Sequence, residues 1–140
     1  MLRSIVLATL ATAAVGTAGP GLLPPAPFSP ADTLTVTVEK SGEARADGTF
    51  RLTCGERAGG DHPAAEEACG RLGQLAKDGG DPFRPVPRDQ MCTQMYGGPA
   101  LAHVTGVWRG REVDARFSRA NGCEIDRWKN LEPLLPLVRG

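Results

Sequence analysis

Alternating hydrophobic and polar positions predict four β-strands. The run Leu34 to Val38 places every second side chain on one apolar face, which is the pattern of a strand with one face buried. The same alternation occurs from Phe50 to Cys54. Leu101 to Trp108 and Glu112 to Phe117 are separated by Arg109-Gly110, so these two runs are predicted to form a hairpin with a tight turn.

One segment shows helical periodicity. Apolar or small residues recur every three to four positions between Pro63 and Ala76, which predicts a helix with Asp61 as its cap and Gly79-Gly80 as its end. Asn121-Gly122 is predicted to be a turn, and residues 131–140 are left without an element. Four strands and one clear helix predict an α+β domain in which the helix covers an antiparallel sheet.

The first 18 residues have the pattern of a secretory signal peptide. Arg3 is followed by the apolar run Ile5 to Val15 and by the small residues Gly16-Thr17-Ala18. This run is too short to span a bilayer, so an uncleaved anchor is the weaker alternative. Residues 19–32 are rich in Pro, Gly and Ala and are predicted to be a flexible leader. We therefore expect an extracellular, secreted protein whose folded domain covers residues 33–140.

Charge and histidine content exclude several classes of function. The chain has 16 basic and 16 acidic residues and no basic block, so we expect neither a nucleic-acid partner nor a membrane partner. The two histidines, His62 and His103, accompany no nucleophile motif, so no catalytic triad is predicted. We therefore do not expect an enzyme.

Four cysteines indicate two disulfides. Cys54, Cys69, Cys92 and Cys123 form an even set in a chain predicted to be exported, and three pairings are open. Zinc binding is the alternative, but no two of these cysteines stand two to four residues apart as zinc ribbons require. We expect no metal and no other cofactor.

Short motifs occur in a fixed order between Leu34 and Cys123. They are Leu52-Thr53-Cys54, His62-Pro63, Ala68-Cys69, Met91-Cys92-Thr93 with Tyr96, Gly106-Val107-Trp108-Arg109-Gly110 with Val113, and then Phe117, Asn121 and Cys123. This ordered set resembles the Streptomyces subtilisin inhibitor family. The resemblance implies an extracellular inhibitor of subtilisin-like serine proteases and a homodimer that packs sheet to sheet. It also implies a five-stranded antiparallel sheet covered by one main and one short helix, with the disulfides Cys54–Cys69 and Cys92–Cys123.

The resemblance also assigns a reactive site. Carried over to this sequence, the bond presented to the protease is Gln94–Met95, and the side chain of Gln94 enters the specificity pocket. Asn121 is expected to hydrogen-bond the loop from beneath. The rest of the protease-binding loop consists of Cys92, Thr93 and Tyr96. A loop that is already extended loses little entropy on binding, and a disulfide beside the bond keeps the cleaved ends in place so that the bond re-forms.

The sequence departs from the family pattern within this loop. Gln94 carries no charge for the acidic pocket of trypsin-like proteases, so we expect trypsin inhibition to be poor. Where the family usually has Asp-Pro after the tyrosine, this chain has Gly97-Gly98-Pro99, so one residue is added and an acidic anchor is lost. The glycine pair is expected to loosen the leaving side of the loop. The alternatives are a binding module that keeps the fold without inhibiting, and a transglutaminase substrate that offers Gln94 as acyl donor.

Overall fold

A five-stranded antiparallel sheet and two helices make up the fold. The computed structural model describes residue 16 and residues 31–139, so most of the predicted signal peptide and leader lies outside the described residues. Strand β1 begins at Asp32, one residue before the predicted domain start. The strands are β1 (Asp32–Glu39), β2 (Gly48–Cys54), β3 (Ala58–Gly59), β4 (Leu101–Trp108) and β5 (Arg111–Phe117). The helices are α1 (Ala65–Lys77) and α2 (Gly122–Asn130).

The sheet has the strand order β3-β2-β1-β4-β5, and all neighbouring strands run antiparallel. The predicted strands are confirmed, and so is the expectation of five strands with two helices. The two-residue strand β3 is too short to produce an alternating pattern, which is why the residues alone predicted four. Arg109 and Gly110 both have positive φ angles, 52° and 75°, as the tight turn between β4 and β5 requires.

The central strand β1 organises the core. Val36 lies opposite Val104 of β4 and Phe50 of β2, and both valines are fully buried. Side chains at alternate positions of the sheet therefore face the helices, while the intervening positions form the opposite face. That opposite face is composed mainly of threonines and charged residues.

Helix α1 packs on the sheet through Ala68, Leu72 and Leu75, which are buried. Its predicted span is confirmed to within two residues, but the predicted cap is wrong. The Asp61 carboxylate accepts the backbone N–H of Arg51 at 2.6 Å instead. The helix begins too far downstream for Asp61 to reach its free N–H groups, because its N-cap residue is Ala64.

The segment predicted as an Asn121-Gly122 turn is the start of helix α2. Asn121 has an extended backbone, and its side-chain Oδ1 accepts the N–H of Glu124 at 3.0 Å, which is the geometry of a helix N-cap. Only Ile125 and Trp128 of this nine-residue helix are buried. Two apolar positions three residues apart provide too little periodicity to distinguish a short helix from a turn.

The residues after α2, which had no predicted element, close the core. Leu131, Leu134 and Leu135 are buried, and the indole Nε1 of Trp128 donates to the carbonyl of Pro136 at 2.9 Å. His62 joins this segment to the start of α1, since its Nε2 lies 2.8 Å from the carbonyl oxygen of Leu134. Within the described part of the chain, no helix has the length and apolar character needed to cross a membrane.

Candidate functional site

Two disulfides join the four cysteines. Cys54 is bonded to Cys69, and Cys92 is bonded to Cys123, so the implied pairing is confirmed. The first bridge fastens the end of β2 to α1. The second fastens the loop before β4 to the first turn of α2. Since every cysteine is consumed in this way, the zinc alternative has no thiolate left, and the described residues contain no cluster arranged to hold a metal ion.

Residues 90–96 form an exposed loop with no regular secondary structure. Gln94 lies near its centre and is exposed, and Met95 and Tyr96 are 63% and 67% exposed. Met91 is 94% exposed, which makes it a third large apolar side chain on the same loop. Of the predicted site residues, Cys92 to Tyr96 thus lie on one largely exposed segment, and Asn121 lies at the start of α2. Met91 belonged to the motif that carries the resemblance but was not among the predicted protease-binding residues, although an apolar residue beside Cys92 was a usable signal.

The segment before Gln94 is fastened to the N-terminus of α2. Besides the disulfide from Cys92, the backbone N–H of Gly122 donates to the carbonyl oxygen of Thr93 at 3.0 Å. The first residues of a helix have free N–H groups, and here one of them holds the loop. A Cβ atom at Gly122 would collide with Thr93 Oγ1 and lie 3.2 Å from Thr93 Cβ. Glycine at this position therefore allows α2 to contact the loop backbone directly.

The segment after Met95 is fastened by Gly97. Its backbone N–H donates to the carbonyl of Arg119 at 2.7 Å, and its carbonyl accepts from Arg119 Nε at 3.0 Å. Gly97 is buried, and a Cβ atom there would lie 2.9 Å from two side-chain atoms of Ile125. The expectation that the glycine pair loosens this side of the loop is wrong for Gly97. The absence of a side chain lets the backbone enter a space where both of its polar groups are paired.

The Asn121 side chain makes no hydrogen bond to the loop within the described residues, in contrast to the expected direct contact. In the described structure its side-chain oxygen bonds to Glu124 of its own helix, and the hydrogen bonds to the loop come from its neighbours Gly122 and Arg119. The cap fixes where α2 begins, and thereby places the Gly122 N–H opposite Thr93. Support of the loop by Asn121 therefore stays a prediction in this indirect form.

A buried charge lies behind the loop. The Arg119 side chain is 5% exposed, and its guanidinium carbon lies 5.8 Å from the ring centre of Trp128. Glu132 faces the same region. Burial raises the pKa of the Glu132 carboxyl above its ordinary value, while the positive charges of Arg119 and Lys129 oppose that rise.

A short exposed stretch of backbone lies between two fastened segments. The bond Gln94–Met95 lies in the exposed loop, with Cys92 and Thr93 held on one side and Gly97 on the other. All of these contacts come from a single segment, residues 119–123. The predicted bond is therefore open to solvent, and both sides of the loop are attached to the same segment.

Comparison with known proteins identifies the family of this chain. A family model described as subtilisin inhibitor-like matches residues 30–121. The chain is 36% identical over 99 residues to subtilisin inhibitor-like protein 1 of Streptomyces cacaoi, covering 67% of this chain and 84% of that protein. It is 33% identical over 135 residues to kexstatin-1 of Streptomyces platensis, covering 88% and 86%. Sermetstatin of Streptomyces caespitosus, solved in complex with Bacillus licheniformis subtilisin, is 27% identical with a TM-score of 0.44, covering 76% and 97%. The chain belongs to the subtilisin inhibitor-like family.

Proposed function

We propose that this protein is a secreted inhibitor of subtilisin-like serine endopeptidases that acts by the standard mechanism, with Gln94–Met95 as the bond presented to the protease. The observation that carries the proposal is an exposed loop whose two sides are both fastened to residues 119–123. Relatives of this chain are named subtilase-type protease inhibitors. The family is one of inhibitors, and the chain is not an enzyme.

The mechanism follows from what holds each half of the loop. The serine of the protease attacks the carbonyl carbon of Gln94 and forms an acyl-enzyme, while the amine of Met95 becomes the leaving group. The acyl half stays attached through Cys92, and the amine half stays attached through Gly97. The amine therefore remains at high effective concentration near the acyl carbon, so the peptide bond re-forms faster than water hydrolyses the intermediate.

The exposed side chains indicate which proteases fit. Gln94 offers a neutral polar side chain to the specificity pocket, which suits a broad pocket better than the acidic pocket of trypsin-like enzymes. Met91, Met95 and Tyr96 present apolar surface on both sides of the bond. We therefore infer a subtilisin-type partner with apolar subsites, and poor inhibition of trypsin.

The decisive experiment mixes the oxidised mature protein with subtilisin and follows the mixture by activity assay and mass spectrometry. We expect stoichiometric inhibition with slow cleavage at Gln94–Met95 alone. Rapid cleavage at that bond would show that the loop reaches the active site without being retained, which contradicts the inhibitory proposal. Absence of both inhibition and cleavage would favour the non-inhibitory binding module.

The register of the loop has its own test. Replacing Gln94 by Lys supplies the charge that a trypsin-like pocket requires, and we expect the variant to inhibit trypsin where the native protein does not. Met91→Lys is the matched control, because it adds the same charge on the same loop but outside the specificity position. Trypsin inhibition by the control, or none by a folded Gln94→Lys variant, would contradict the assigned bond.

Two alternative functions, a non-inhibitory binding module and a transglutaminase substrate, depend on the same loop. A binding module that has lost inhibition was suggested by the Gly97-Gly98 pair, but the paired backbone of Gly97 removes the looseness on which that argument depended. A transglutaminase substrate needs only an exposed glutamine, which Gln94 satisfies. Incorporation of a labelled primary amine at Gln94 by a transglutaminase, with no effect on subtilisin, would support that second function.

We also propose that the protein is a homodimer that packs through the sheet face opposite the helices. Thr35 and Thr105 pair at the centre of this face and are half-buried, while the apolar side chains of Leu101 and Val107 are exposed at its two ends. The short threonine side chains at its centre and the exposed apolar side chains at its ends suit close packing against a second copy. Sedimentation equilibrium should give twice the monomer mass for the native protein and the monomer mass for Thr105→Lys.

We also propose that the protein is exported from the cell. The relatives are inhibitors of proteases, and the first 18 residues have the charge and apolar pattern of a signal peptide. We expect the protein in the culture medium of the organism that produces it, lacking those residues. Intact-mass analysis of the exported protein would identify the cleavage site, and retention of Met1 in that protein would contradict export by this route.

A further inference from the structure

We propose that Arg119 is the positioning residue that keeps the leaving half of the loop in place after cleavage and thereby sets how long the inhibitor survives. The proposal rests on the inhibitory function proposed above. Arg119 lies two residues before the helix cap Asn121 and belongs to none of the motifs that carry the family resemblance.

The burial of Arg119 requires an explanation. Within residues 31–139, only His62 and Arg119 are buried polar or charged side chains. Taking a guanidinium out of water is costly unless its donors are paired. Yet the one hydrogen bond donated by this side chain goes to the loop, from Nε to the carbonyl of Gly97, and in the described structure Nη1 has no partner. An arginine kept only for stability would be expected to use more of its donors.

Arg119 holds Gly97 through two hydrogen bonds, and we call this pair of hydrogen bonds the clamp. The Arg119 carbonyl accepts the N–H of Gly97 at 2.7 Å, and Nε donates to the Gly97 carbonyl at 3.0 Å. One residue thus satisfies both backbone groups of Gly97, as a strand partner would. Trp128 lies 5.8 Å from the guanidinium carbon and limits where the side chain can move. The donor is therefore held in position before any protease arrives.

The two halves of the cleaved loop are retained by unequal means. The half that ends in Gln94 is held covalently through Cys92–Cys123. The half that begins at Met95 has no disulfide near its new N-terminus, and the hydrogen bonds between Gly97 and Arg119 are its first attachment before the chain enters β4 at Leu101. Loss of the Arg119 donor therefore acts on the leaving amine, which must stay near the acyl carbon for the bond to re-form.

The test replaces Arg119 by Met, which keeps an apolar side chain of similar length and removes the N–H donors. We expect the rate of hydrolysis at Gln94–Met95 in the complex with subtilisin to rise on the order of tenfold, the effect of losing one charge-assisted hydrogen bond. The association rate constant should change little, because the acyl half and the exposed side chains are untouched. Arg111→Met, an exposed substitution at the far end of the β4–β5 hairpin, is the matched control.

A second variant separates positioning from charge. Arg119→Lys retains a positive charge near Trp128 and Glu132 but cannot place a donor as the planar guanidinium does. We expect faster hydrolysis in this variant as well, and it carries the comparison if the methionine variant does not fold. Full recovery of native behaviour by lysine would overturn the proposal, since charge alone would then suffice. A lowered melting temperature with unchanged hydrolysis would overturn it too, because the role would be structural only.

A measurement on the free protein keeps this test distinct from the test of function. We expect the Gly97 amide to exchange with deuterium on the order of tenfold faster in Arg119→Met, while amides of β1 exchange at the native rate. If the native protein neither inhibits subtilisin nor is cleaved, the proposed function fails, but faster exchange at Gly97 still supports the clamp. Unchanged exchange at Gly97 would overturn the clamp, whatever the protease assays show.

Discussion

Replacing Gly97 by Ala tests whether this glycine tightens or loosens the reactive loop. Gly97 has no positive φ angle, so alanine can adopt its backbone conformation, and stiffening the unfolded chain alone would stabilise the protein by about 0.4–1 kcal/mol. The added Cβ, however, would lie 2.9 Å from Cδ1 and Cγ1 of Ile125 and 3.1 Å from Cβ of Arg119. Ile125 is 5% exposed and has little room to move.

Overpacking of this kind costs typically about 1–3 kcal/mol, so it outweighs the gain from stiffening. We expect Gly97→Ala to lower the free energy of unfolding by about 1–2 kcal/mol, which for a domain of this size lowers the melting temperature by roughly 5–15 °C. The clash also pushes Gly97 away from Arg119, so hydrolysis of the Gln94–Met95 bond by subtilisin should accelerate.

The assay combines thermal unfolding followed by circular dichroism with mass spectrometry of the subtilisin complex. Gly73→Ala is the control, because a Cβ atom on this exposed helical position meets nothing within 4 Å. That control should gain about 0.5–1 kcal/mol from helix propensity and inhibit normally. If Gly97→Ala were as stable as the native protein and inhibited more tightly, the glycine would be a source of looseness, and the packing argument would be refuted.

Three further substitutions test other parts of the structure. Gly122→Ala should displace Thr93 and weaken subtilisin inhibition about ten- to a hundred-fold by inhibition assay, whereas unaltered inhibition would show that the contact is dispensable. Removing Cys92–Cys123 by paired serine substitution should lower stability by about 3–4 kcal/mol in denaturant titration, given the separation of 31 residues, and turn the inhibitor into a cleaved substrate. Glu132→Gln should be more stable than the native protein at neutral pH. The raised pKa of the Glu132 carboxyl means that the folded state disfavours its charge, a penalty that develops as pH rises above the ordinary value of 4.5 and is absent below it. An equal stability difference at pH 3 and pH 7 would contradict this cause.

The sheet could be predicted from the sequence because its signal is local. Strands β1, β2 and β5 alternate apolar and polar side chains, and β1 shows this clearly from Leu34 to Val38. The turn at Arg109-Gly110 was predictable for the same reason, since a glycine between two alternating runs specifies a hairpin. The pairing of the cysteines was available only through resemblance to a family, because spacing alone left three pairings open, and the proposed reactive bond has the same source.

Helix α2 and the C-terminal segment were not predictable from pattern. Their buried residues, among them Trp128 and Leu131, are apolar because they close the core against distant parts of the chain, such as the region around His62. A short helix with two buried positions has no periodicity to detect. Its N-cap, Asn121, has the same residue type that a turn would favour, so only the three-dimensional context distinguishes the two.

The sequence by itself determined four of the five strands, the number of disulfides and the position of the loop. Only the tertiary structure decided what Gly97 does. Glycine is compatible both with flexibility and with close packing, and the choice depends on whether other atoms fill the space around it. Here Ile125 and Arg119, more than twenty residues further along the chain, fill that space and pair with its backbone. Contacts between residues so far apart in sequence arise only when the chain has folded.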